Sequence, residues 1–434
     1  MGKIVAIVGR PNVGKSTLYN RLIGERQAII DDISGVTRDR QYGACIWNGK
    51  QFTVVDTGGF VKNSEDPFEK AIRSQVEIAV TEAAVIIFMV DTTTGITDLD
   101  EEVAHMLRRS DKPVYLAVNK VDNHQRLLQA NEFWSLGFEN TFFLSSLTGS
   151  GTGEILDAVV EHIPAEEEEP PSTLPRFAII GQPNVGKSSL INALLGEDRN
   201  IVTDVAGTTR DAIDTHYNKY GKEFILVDTA GMRKKAKVHE DLEFYSVMRA
   251  IKALEESDVC ILMIDAQTGV EAQDMSLFRL AQRRHKGIVI LVNKWDLVAK
   301  ETNTARDMEE EIRNKIAPFN DVPIIFISAL DKTRIFKSVE AALQVQENRQ
   351  RRIKTSQLNE IMLEVVERQP PPAYRGHYIK IKYVTQLPLA YPAFVFFTNH
   401  PKQIKEGYRN FLENQLRSHF DFTGVPMALL FRQK

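Results

Sequence analysis

An eight-residue pattern that occurs twice constrains this 434-residue chain more than any other feature. Residues 9–16 read GRPNVGKS and residues 181–188 read GQPNVGKS, and each follows an apolar run and opens a helical pattern. In such a strand–loop–helix context, the backbone N–H groups wrap a phosphate chain and the helix N-terminus adds a positive dipole end. The sequence therefore predicts two phosphate-binding loops in one chain.

The repeat extends well beyond the two loops. Thr37 and Thr209 are 172 positions apart, and so are Asp56 and Asp228. A spacing this long indicates a duplicated domain and not a solenoid. Each copy alternates short apolar runs with amphipathic helical patterns, which predicts an α/β fold with a mostly parallel, doubly wound sheet.

We expect three domains joined by one acidic linker. The first domain spans residues 1–163, the second 176–350, and the linker 164–175 reads PAEEEEPPSTLP. Residues 351–434 have a different pattern of helices and strands, typical of an α+β domain. They carry thirteen Lys or Arg against six Asp or Glu, although the whole chain has a net charge of −4. A basic terminal domain on an acidic body favours nucleic-acid binding, and a solvated basic face is the alternative.

Each copy carries the residues that a nucleoside triphosphate with Mg²⁺ requires. Lys15 would reach the β- and γ-phosphates, and Ser16 would place a hydroxyl on the ion. Asp56 ends an apolar strand and would hold Mg²⁺ through its water shell, while Thr37 would complete that shell. Gly59 would offer a backbone N–H to the γ-phosphate, which makes the following loop a switch. The counterparts in the second copy are Lys187, Ser188, Asp228, Thr209 and Gly231.

The identity of the base is predicted by NKVD at 119–122 and NKWD at 293–296. Asp122 and Asp296 can accept two hydrogen bonds from guanine that adenine cannot donate, and sites built on such bonds discriminate strongly. Asn119, Lys120 and their counterparts would support the ring. The sequence therefore favours GTP over ATP at both sites.

The complete set of predicted nucleotide contacts follows the same motifs in both copies. In the first copy they are Gly9, Arg10, Pro11, Asn12, Val13, Gly14, Lys15, Ser16, Thr17, Asp56, Thr57, Gly58, Gly59, Phe60, Asn119, Lys120, Val121, Asp122, Ser145, Ser146 and Leu147. In the second they are Gly181, Gln182, Pro183, Asn184, Val185, Gly186, Lys187, Ser188, Ser189, Asp228, Thr229, Ala230, Gly231, Met232, Asn293, Lys294, Trp295, Asp296, Ser328, Ala329 and Leu330.

These motifs, in this order, resemble the translation-factor-like GTPases. Two tandem sets, each with PNVGKS and TRD, followed by a small basic domain, resemble the double-GTPase family Der, also called EngA. The resemblance covers nearly the whole chain. It implies two P-loop GTPase domains, a KH-like terminal domain, hydrolysis of GTP to GDP and phosphate, and a role in assembly of the large ribosomal subunit. A GTP-gated protein-docking module that never touches RNA is the alternative.

The position that often carries a water-orienting glutamine holds Phe60 in the first copy and Met232 in the second. We therefore expect slow intrinsic turnover. In related GTPases, an asparagine at the position of Asn12 and Asn184 helps to hold K⁺ beside the phosphates, where a cation could neutralise developing charge. An asparagine that only shapes the loop is the alternative.

Composition bounds the setting in which the chain acts. It has only two cysteines, Cys45 and Cys260, which predicts a reducing compartment. The longest apolar run, at 83–90, is too short for a membrane span, and the N-terminus lacks the layout of a secretion signal. We expect a cytoplasmic monomer whose partners are the large ribosomal subunit and ribosomal RNA, with no membrane or DNA partner.

Two further surfaces are candidates for RNA contact. The alternatives are an acidic domain face or a solvated loop for the first, and structured RNA or docking of the GTPase domains for the second. The loop after the second DTAG carries Arg233, Lys234, Lys235 and Lys237. In the terminal domain, strand alternation in GHYIKIKYV predicts that Tyr378, Lys380 and Lys382 face solvent and that Ile379, Ile381 and Tyr383 face the core. The helix that follows is expected to bury Ile404, Tyr408, Phe411 and Leu416. The GxxG loop of a typical KH fold does not occur in this segment.

Overall fold

The structure is a computed structural model that describes residues 3–30, 42–58, 68–163, 174–195, 214–227, 242–299, 301–373 and 378–433. Contacts divide the chain into two compact units, one of residues 1–167 with 235–255 and the other of residues 168–234 with 256–434. Within the described ranges, no helix combines the length and apolar character that a membrane crossing requires. The predicted linker lies almost wholly outside these ranges, and the predicted domain boundaries stay predictions.

The first phosphate loop belongs to a six-stranded sheet of order β2–β3–β1–β4–β5–β6. Only β2 and β3 pair antiparallel; the other neighbours are parallel. The strands are Ile4–Val8 (β1), Tyr42–Trp47 (β2), Lys50–Asp56 (β3), Val85–Asp91 (β4), Val114–Asn119 (β5) and Thr141–Phe143 (β6). The helices are Lys15–Ile30 (α1), Phe68–Glu82 (α2), Asp98–Arg108 (α3), His124–Ala130 (α4) and Thr152–Glu161 (α5), with a 3₁₀ helix at Asn131–Leu136. Every residue of β1 and β4 is buried, as expected for parallel strands covered on both faces.

Read from its antiparallel edge, the second sheet has the order β8–β9–β7–β10–β11–β12, which repeats the order of the first sheet. It also has a single antiparallel pair, β8 with β9. Its strands are Arg176–Gly181 (β7), Thr215–Lys219 (β8), Lys222–Leu226 (β9), Val259–Asp265 (β10), Gly287–Asn293 (β11) and Ile324–Phe326 (β12). The helices of this part of the chain are Lys187–Leu195 (α6), Leu242–Glu256 (α7), Ala272–Arg283 (α8), Thr304–Ile316 (α9) and Ile335–Gln350 (α10), with a 3₁₀ helix at Trp295–Leu297. The predicted duplicated α/β fold is confirmed.

The terminal domain is a three-stranded sheet with helices packed on one face. Its elements are Thr355–Arg368 (α11), Ile381–Gln386 (β13), Ala393–Thr398 (β14), a 3₁₀ helix at Pro401–Gln403, Glu406–His419 (α12) and Ala428–Arg432 (β15). β14 lies in the centre, antiparallel to β13 and parallel to β15. The core between helices and sheet contains Leu358, Met362, Phe394, Phe396 and Leu412, all fully buried.

The predicted orientation of Tyr383 is wrong. The side chain is 39% exposed, and Val384 takes the place in the core. The pairing of β13 with β14 shifts between Ile381 and Tyr383, where one extra residue bulges out of the strand. Because a bulge reverses the inside–outside alternation beyond it, Tyr383 joins the solvent face. Phe411 of α12 was also predicted to be buried; it is only half-buried at the edge of the core, and its neighbour Leu412 is buried instead.

The terminal domain and the second GTPase sheet belong to the same compact unit and share hydrogen bonds. The N–H of Ile288, at the start of β11, donates to the carbonyl of Gly424 at 2.8 Å, and the N–H of Gly424 donates to the carbonyl of Asp321 at 2.8 Å. Val425 is fully buried in the apolar core of that sheet. The segment before β15 is therefore part of the packing of the second GTPase domain.

Candidate nucleotide-binding sites

Both phosphate loops begin at a glycine that no other residue could replace without displacing the neighbouring strand. Gly9 has φ +142°, and a Cβ there would lie 2.3 Å from the carbonyl oxygen of Met89. Gly181 has φ +143°, and a Cβ there would lie 2.4 Å from the carbonyl oxygen of Met263. The strand next to the loop thus permits only glycine, which lets the backbone turn sharply towards a phosphate chain.

The loop lysines are held across their own loops. Lys15 Nζ donates to the carbonyl oxygens of Gly9 at 2.6 Å and Arg10 at 2.8 Å. Lys187 Nζ donates to those of Gly181 at 2.9 Å and Gln182 at 2.6 Å. Burial lowers the pKa of each lysine to about 8. Phosphate oxygens could take over these bonds, and their negative charge would favour the protonated amine.

The first site brings together a hydroxyl and a carboxylate suited to Mg²⁺. Ser16 Oγ donates to Asp56 Oδ2 at 2.5 Å, and the N–H of Gly58 donates to Asp56 Oδ1 at 2.8 Å. Asp56 is fully buried, and this burial raises its pKa. The described residues hold no cluster of three His, Cys, Asp or Glu side chains that could bind a metal. One carboxylate and one hydroxyl beside a phosphate chain fit Mg²⁺, which is commonly bound through few protein ligands, waters and substrate phosphates.

The asparagine of each NKxD motif connects the base-recognition loops to the phosphate loop. Asn119 Nδ2 donates to the carbonyl of Val13 at 2.7 Å, and its Oδ1 accepts from the N–H of Ser146 at 2.8 Å. Asn293 makes the same two bonds, to Val185 at 2.7 Å and from Ala329 at 2.9 Å. In each copy, one buried amide therefore sets the positions of three loops at once.

The lysine of each NKxD motif is fixed by a partner that the sequence analysis did not identify. Lys120 Nζ lies 2.5 Å from Asp91 Oδ2, and Lys294 Nζ lies 2.5 Å from Asp265 Oδ2. Both lysines have a left-handed backbone, with φ of 66° and 62°. Burial disfavours the charged form of Asp91, but hydrogen bonds from Lys120 and Thr93 outweigh it and lower the pKa. The signal that could have found both acids is their place at the end of corresponding strands, β4 and β10.

The carboxylate predicted to read guanine is paired in the first site. Asp122 is exposed and forms an ion pair with Arg126, which also donates to the carbonyl of Lys120 at 3.0 Å. Asp296 of the second site is half-buried. At the rims of the two sites, Leu147 is 76% and Leu330 is 80% exposed.

The copies differ beneath the phosphate loops. In the first, Arg10 Nε lies 3.0 Å from the buried carboxylate of Asp100. In the second, the neutral amide of Gln182 donates to Asp274 at 3.1 Å. Without a cationic partner at this position, burial raises the pKa of Asp274 to about 6. The two sites therefore share the same loop arrangement, but the buried carboxylate is paired with a cation in the first and with a neutral amide in the second.

Several predicted site residues lie outside the described residues, and the roles assigned to them stay predictions. They are Thr37, Gly59, Phe60, Thr209, Asp228, Thr229, Ala230, Gly231, Met232, Arg233, Lys234, Lys235 and Lys237.

Comparison with known proteins agrees with this geometry. Residues 4–120 and 176–294 match the family described as 50S ribosome-binding GTPase, and residues 352–432 match the KH-domain-like C-terminal region of EngA bacterial GTPases. The GTPase Der of Christiangramia forsetii is 61% identical over the full length of both chains. The chain belongs to the GTPase Der family. GTPase Der of Flavobacterium johnsoniae is 60% identical over 99% of both chains, and that of Porphyromonas gingivalis is 56% identical over the full length of both. As a Der GTPase, the chain binds guanine nucleotide and hydrolyses GTP, and its terminal domain is KH-like.

Proposed function

We propose that this Der GTPase acts in assembly or maturation of the large ribosomal subunit, as a monomer in the cytoplasm. In this proposal, GTP or GDP at two sites controls the arrangement of the domains and their association with the ribosome. One observation carries the two-site part of this proposal. Lys187 and Asn293 in the second site make the same hydrogen bonds to their phosphate loop as Lys15 and Asn119 make in the first. The description of the matched family as 50S ribosome-binding supports the choice of subunit.

In this proposal, each site binds GTP with Mg²⁺. Ser16 and Asp56 bind the ion in the first site and Ser188 and Asp228 in the second, with Thr37 and Thr209 completing its shell. Binding of the γ-phosphate orders the loops that contain Gly59 and Gly231 and thereby changes which surfaces are available to a partner.

We further propose that hydrolysis is slow and stimulated by K⁺. The positions of Phe60 and Met232 carry no group that could orient water. Asn12 and Asn184 lie in the phosphate loops with φ of 65° and with exposed side chains, so a carbonyl oxygen could reach a cation beside the phosphates. GTP hydrolysis measured in equal concentrations of K⁺ and Na⁺ should be faster in K⁺, and the difference should fall in the Asn12→Ala and Asn184→Ala chains. Equal rates in the two salts would contradict the K⁺ proposal.

Co-sedimentation with isolated large subunits tests the ribosomal role. The chain is spun with subunits in GDP, in a non-hydrolysable GTP analogue and without nucleotide, and the same is done with Lys15→Ala and Lys187→Ala. We expect binding that depends on the analogue and is lost in one or both variants. Lys337→Ala, which changes an exposed lysine of α10, is the matched control and should bind as the parent does.

A GTP-gated docking module that does not act on RNA is the second candidate. It predicts association that follows nucleotide but survives removal of ribosomal RNA contacts by high salt. Salt-sensitive association favours the RNA-directed role, since phosphate contacts release counterions. No association in any nucleotide state would contradict the proposed function.

A further inference from the structure

Arg21 of α1 contacts the loop that follows β6 in the first site. Its Nε donates to the carbonyl oxygen of Ser146 at 2.6 Å, and its Nη2 donates to the carbonyl oxygen of Leu147. One guanidinium therefore holds two successive peptide groups, and its planar fork fixes their direction as well as their distance. We call residues 145–147 the base loop, because they are the predicted nucleotide contacts that follow β6.

The bond to Ser146 sets the direction of the N–H group of Leu147. The carbonyl and this N–H belong to one peptide unit, and in a planar trans peptide they point in opposite directions. The N–H of Leu147 therefore points away from the guanidinium. No acceptor within the described ranges binds this N–H, and the hydroxyl of Ser146 is buried and likewise has no partner there. Both are donors that an acceptor on a bound base could satisfy.

The second site has the corresponding loop without this arginine. The counterpart of Arg21 in α6 is Ala193, since KSTLYNRL at 15–22 aligns with KSSLINAL at 187–194. A methyl group cannot donate a hydrogen bond to the carbonyl of Ala329, which is the counterpart of Ser146. The first site therefore has a side-chain support for its base loop that the second site lacks.

A loop glycine differs between the copies together with the arginine. Gly149 has φ +90°, and a Cβ there would lie 2.6 Å from Nη1 of Arg21. In the second copy, the residue four positions after the serine that opens the loop is Lys332, with φ 56°. A side chain at this position is compatible with alanine on the helix, but it would displace the arginine. The pairing of glycine with arginine, and of lysine with alanine, indicates that Arg21 and its loop act as a unit.

We infer that Arg21 is a positioning residue for recognition of guanine O6 at the first site. By holding the carbonyls of the base loop, it presents the N–H of Leu147 to the oxygen of the base. The positive charge also polarises the peptide group and makes that N–H a stronger donor. Adenine carries an amine in place of O6, so a fixed donor adds to the discrimination expected from Asp122. The inference rests on the proposed binding of nucleotide at the first site and adds a determinant of base specificity to it.

Three nucleotides measured at the first site alone test the role of Arg21. The full chain carries Lys187→Met, and GDP, 6-thio-GDP and inosine diphosphate each compete with a fluorescent GDP analogue. 6-Thio-GDP has a larger and weaker acceptor in place of O6, whereas inosine diphosphate lacks only the 2-amine that Asp122 is expected to bind.

In Arg21→Met, we expect GDP to bind about five-fold more weakly, which is the effect of about one neutral hydrogen bond. The preference for GDP over 6-thio-GDP should fall by the same factor, and the preference for GDP over inosine diphosphate should not change. A general loosening of the site would weaken all three nucleotides equally and leave both preferences as they are in the parent.

Three controls accompany this measurement. Arg21→Lys keeps the charge but replaces the fork by a single point donor, so it should retain part of the preference over 6-thio-GDP. It also decides the question if Arg21→Met does not fold, which thermal melting of each variant checks. Asn20→Ala changes an exposed neighbour on α1 and should behave as the parent does. Arg21→Met in a Lys15→Met chain reports on the second site and should leave all three affinities unchanged.

Two negative results have different meanings. A folded Arg21→Met chain that binds GDP and keeps the parent's preference over 6-thio-GDP would overturn the inference alone. Absence of GDP binding in the Lys187→Met chain would refute nucleotide binding at the first site, and with it both the two-site proposal and the inference.

Discussion

Among single residues, the two loop lysines have the clearest physical signature. Lys15 is buried and Lys187 is half-buried, and this burial lowers the pKa of each to about 8. A lysine is useful to a phosphate chain only when it is charged. Without nucleotide, the two lysines would therefore begin to lose their positive charge at mildly alkaline pH, and bound phosphate would favour the charged form again.

We predict that nucleotide affinity falls above pH 8. Below that pH, both lysines are already protonated and binding takes up no proton from them. Above it, binding must protonate the lysine, so the Kd for GDP should rise towards about ten-fold per pH unit. The measurement is titration with a fluorescent GDP analogue between pH 6.5 and 9.5, using Lys187→Met to isolate the first site and Lys15→Met to isolate the second. A flat profile would show that neither lysine changes its protonation on binding.

A second prediction concerns Arg126, which pairs with the carboxylate expected to read guanine. Guanine must compete with this ion pair, so removal of the arginine should tighten nucleotide binding at the first site. Because both partners are partly exposed, the gain should be modest, up to about five-fold. Binding is compared in Lys187→Met chains with and without Arg126→Ala. Arg109→Ala, which changes an exposed arginine at the end of α3, is the control and should leave affinity unchanged.

At the scale of elements, short segments decide which surfaces face each other. The bulge in β13 turns Tyr383 outward, and the segment before β15 joins the terminal domain to the second GTPase sheet. Gly424 is central to that joint. It has φ +77°, and a Cβ there would lie 2.5 Å from Val345 Cγ2 and 2.9 Å from the carbonyl oxygen of Ile288.

We predict that Gly424→Ala destabilises the second compact unit by about 2–4 kcal/mol, since it combines backbone strain with overpacking against a strand. Thermal unfolding followed by calorimetry, together with limited proteolysis, should show an earlier transition and faster cleavage between the second GTPase domain and the terminal domain. Gly407→Ala is the matched control, because a Cβ at that helical glycine would meet no atom within 4 Å. An unaltered transition in Gly424→Ala would mean that the joint can relax.

At the scale of the whole molecule, the chain has two nucleotide-binding sites with the same backbone arrangement and different side chains beside the phosphate loop. In both sites, the loop lysine and the asparagine of the NKxD motif make the same hydrogen bonds. They differ where Arg10 meets Asp100 and Gln182 meets Asp274. Two sites with unequal electrostatics can respond separately to nucleotide, which a regulatory protein with two switches requires.

The corresponding prediction concerns the number of GDP molecules that one chain binds. Isothermal titration calorimetry with GDP and Mg²⁺ should give two equivalents per chain. Lys15→Met and Lys187→Met should each leave one, since loss of a buried charged contact weakens a site far below the other. Lys337→Ala should still bind two. One equivalent in the parent chain would contradict a two-site protein.

Much of this architecture followed from the sequence alone. Duplication, the α/β class, both phosphate loops and the preference for guanine rest on local patterns, because a strand–loop–helix context and a short polar motif are set by neighbours in the chain. For the same reason, the sequence predicted the loop positions of Lys15, Asn119 and their counterparts, although it did not reveal their bonds.

Tertiary structure alone decided the contacts between distant segments. Asp91 and Asp265 became partners of the motif lysines only because parallel strands bring their carboxyl ends together. Tyr383 faces solvent because a bulge, which strand alternation does not reveal, reversed its side. Side-chain pairing, burial and pKa depend on such three-dimensional neighbours, whereas fold class and loop chemistry depend on the order of residues along the chain.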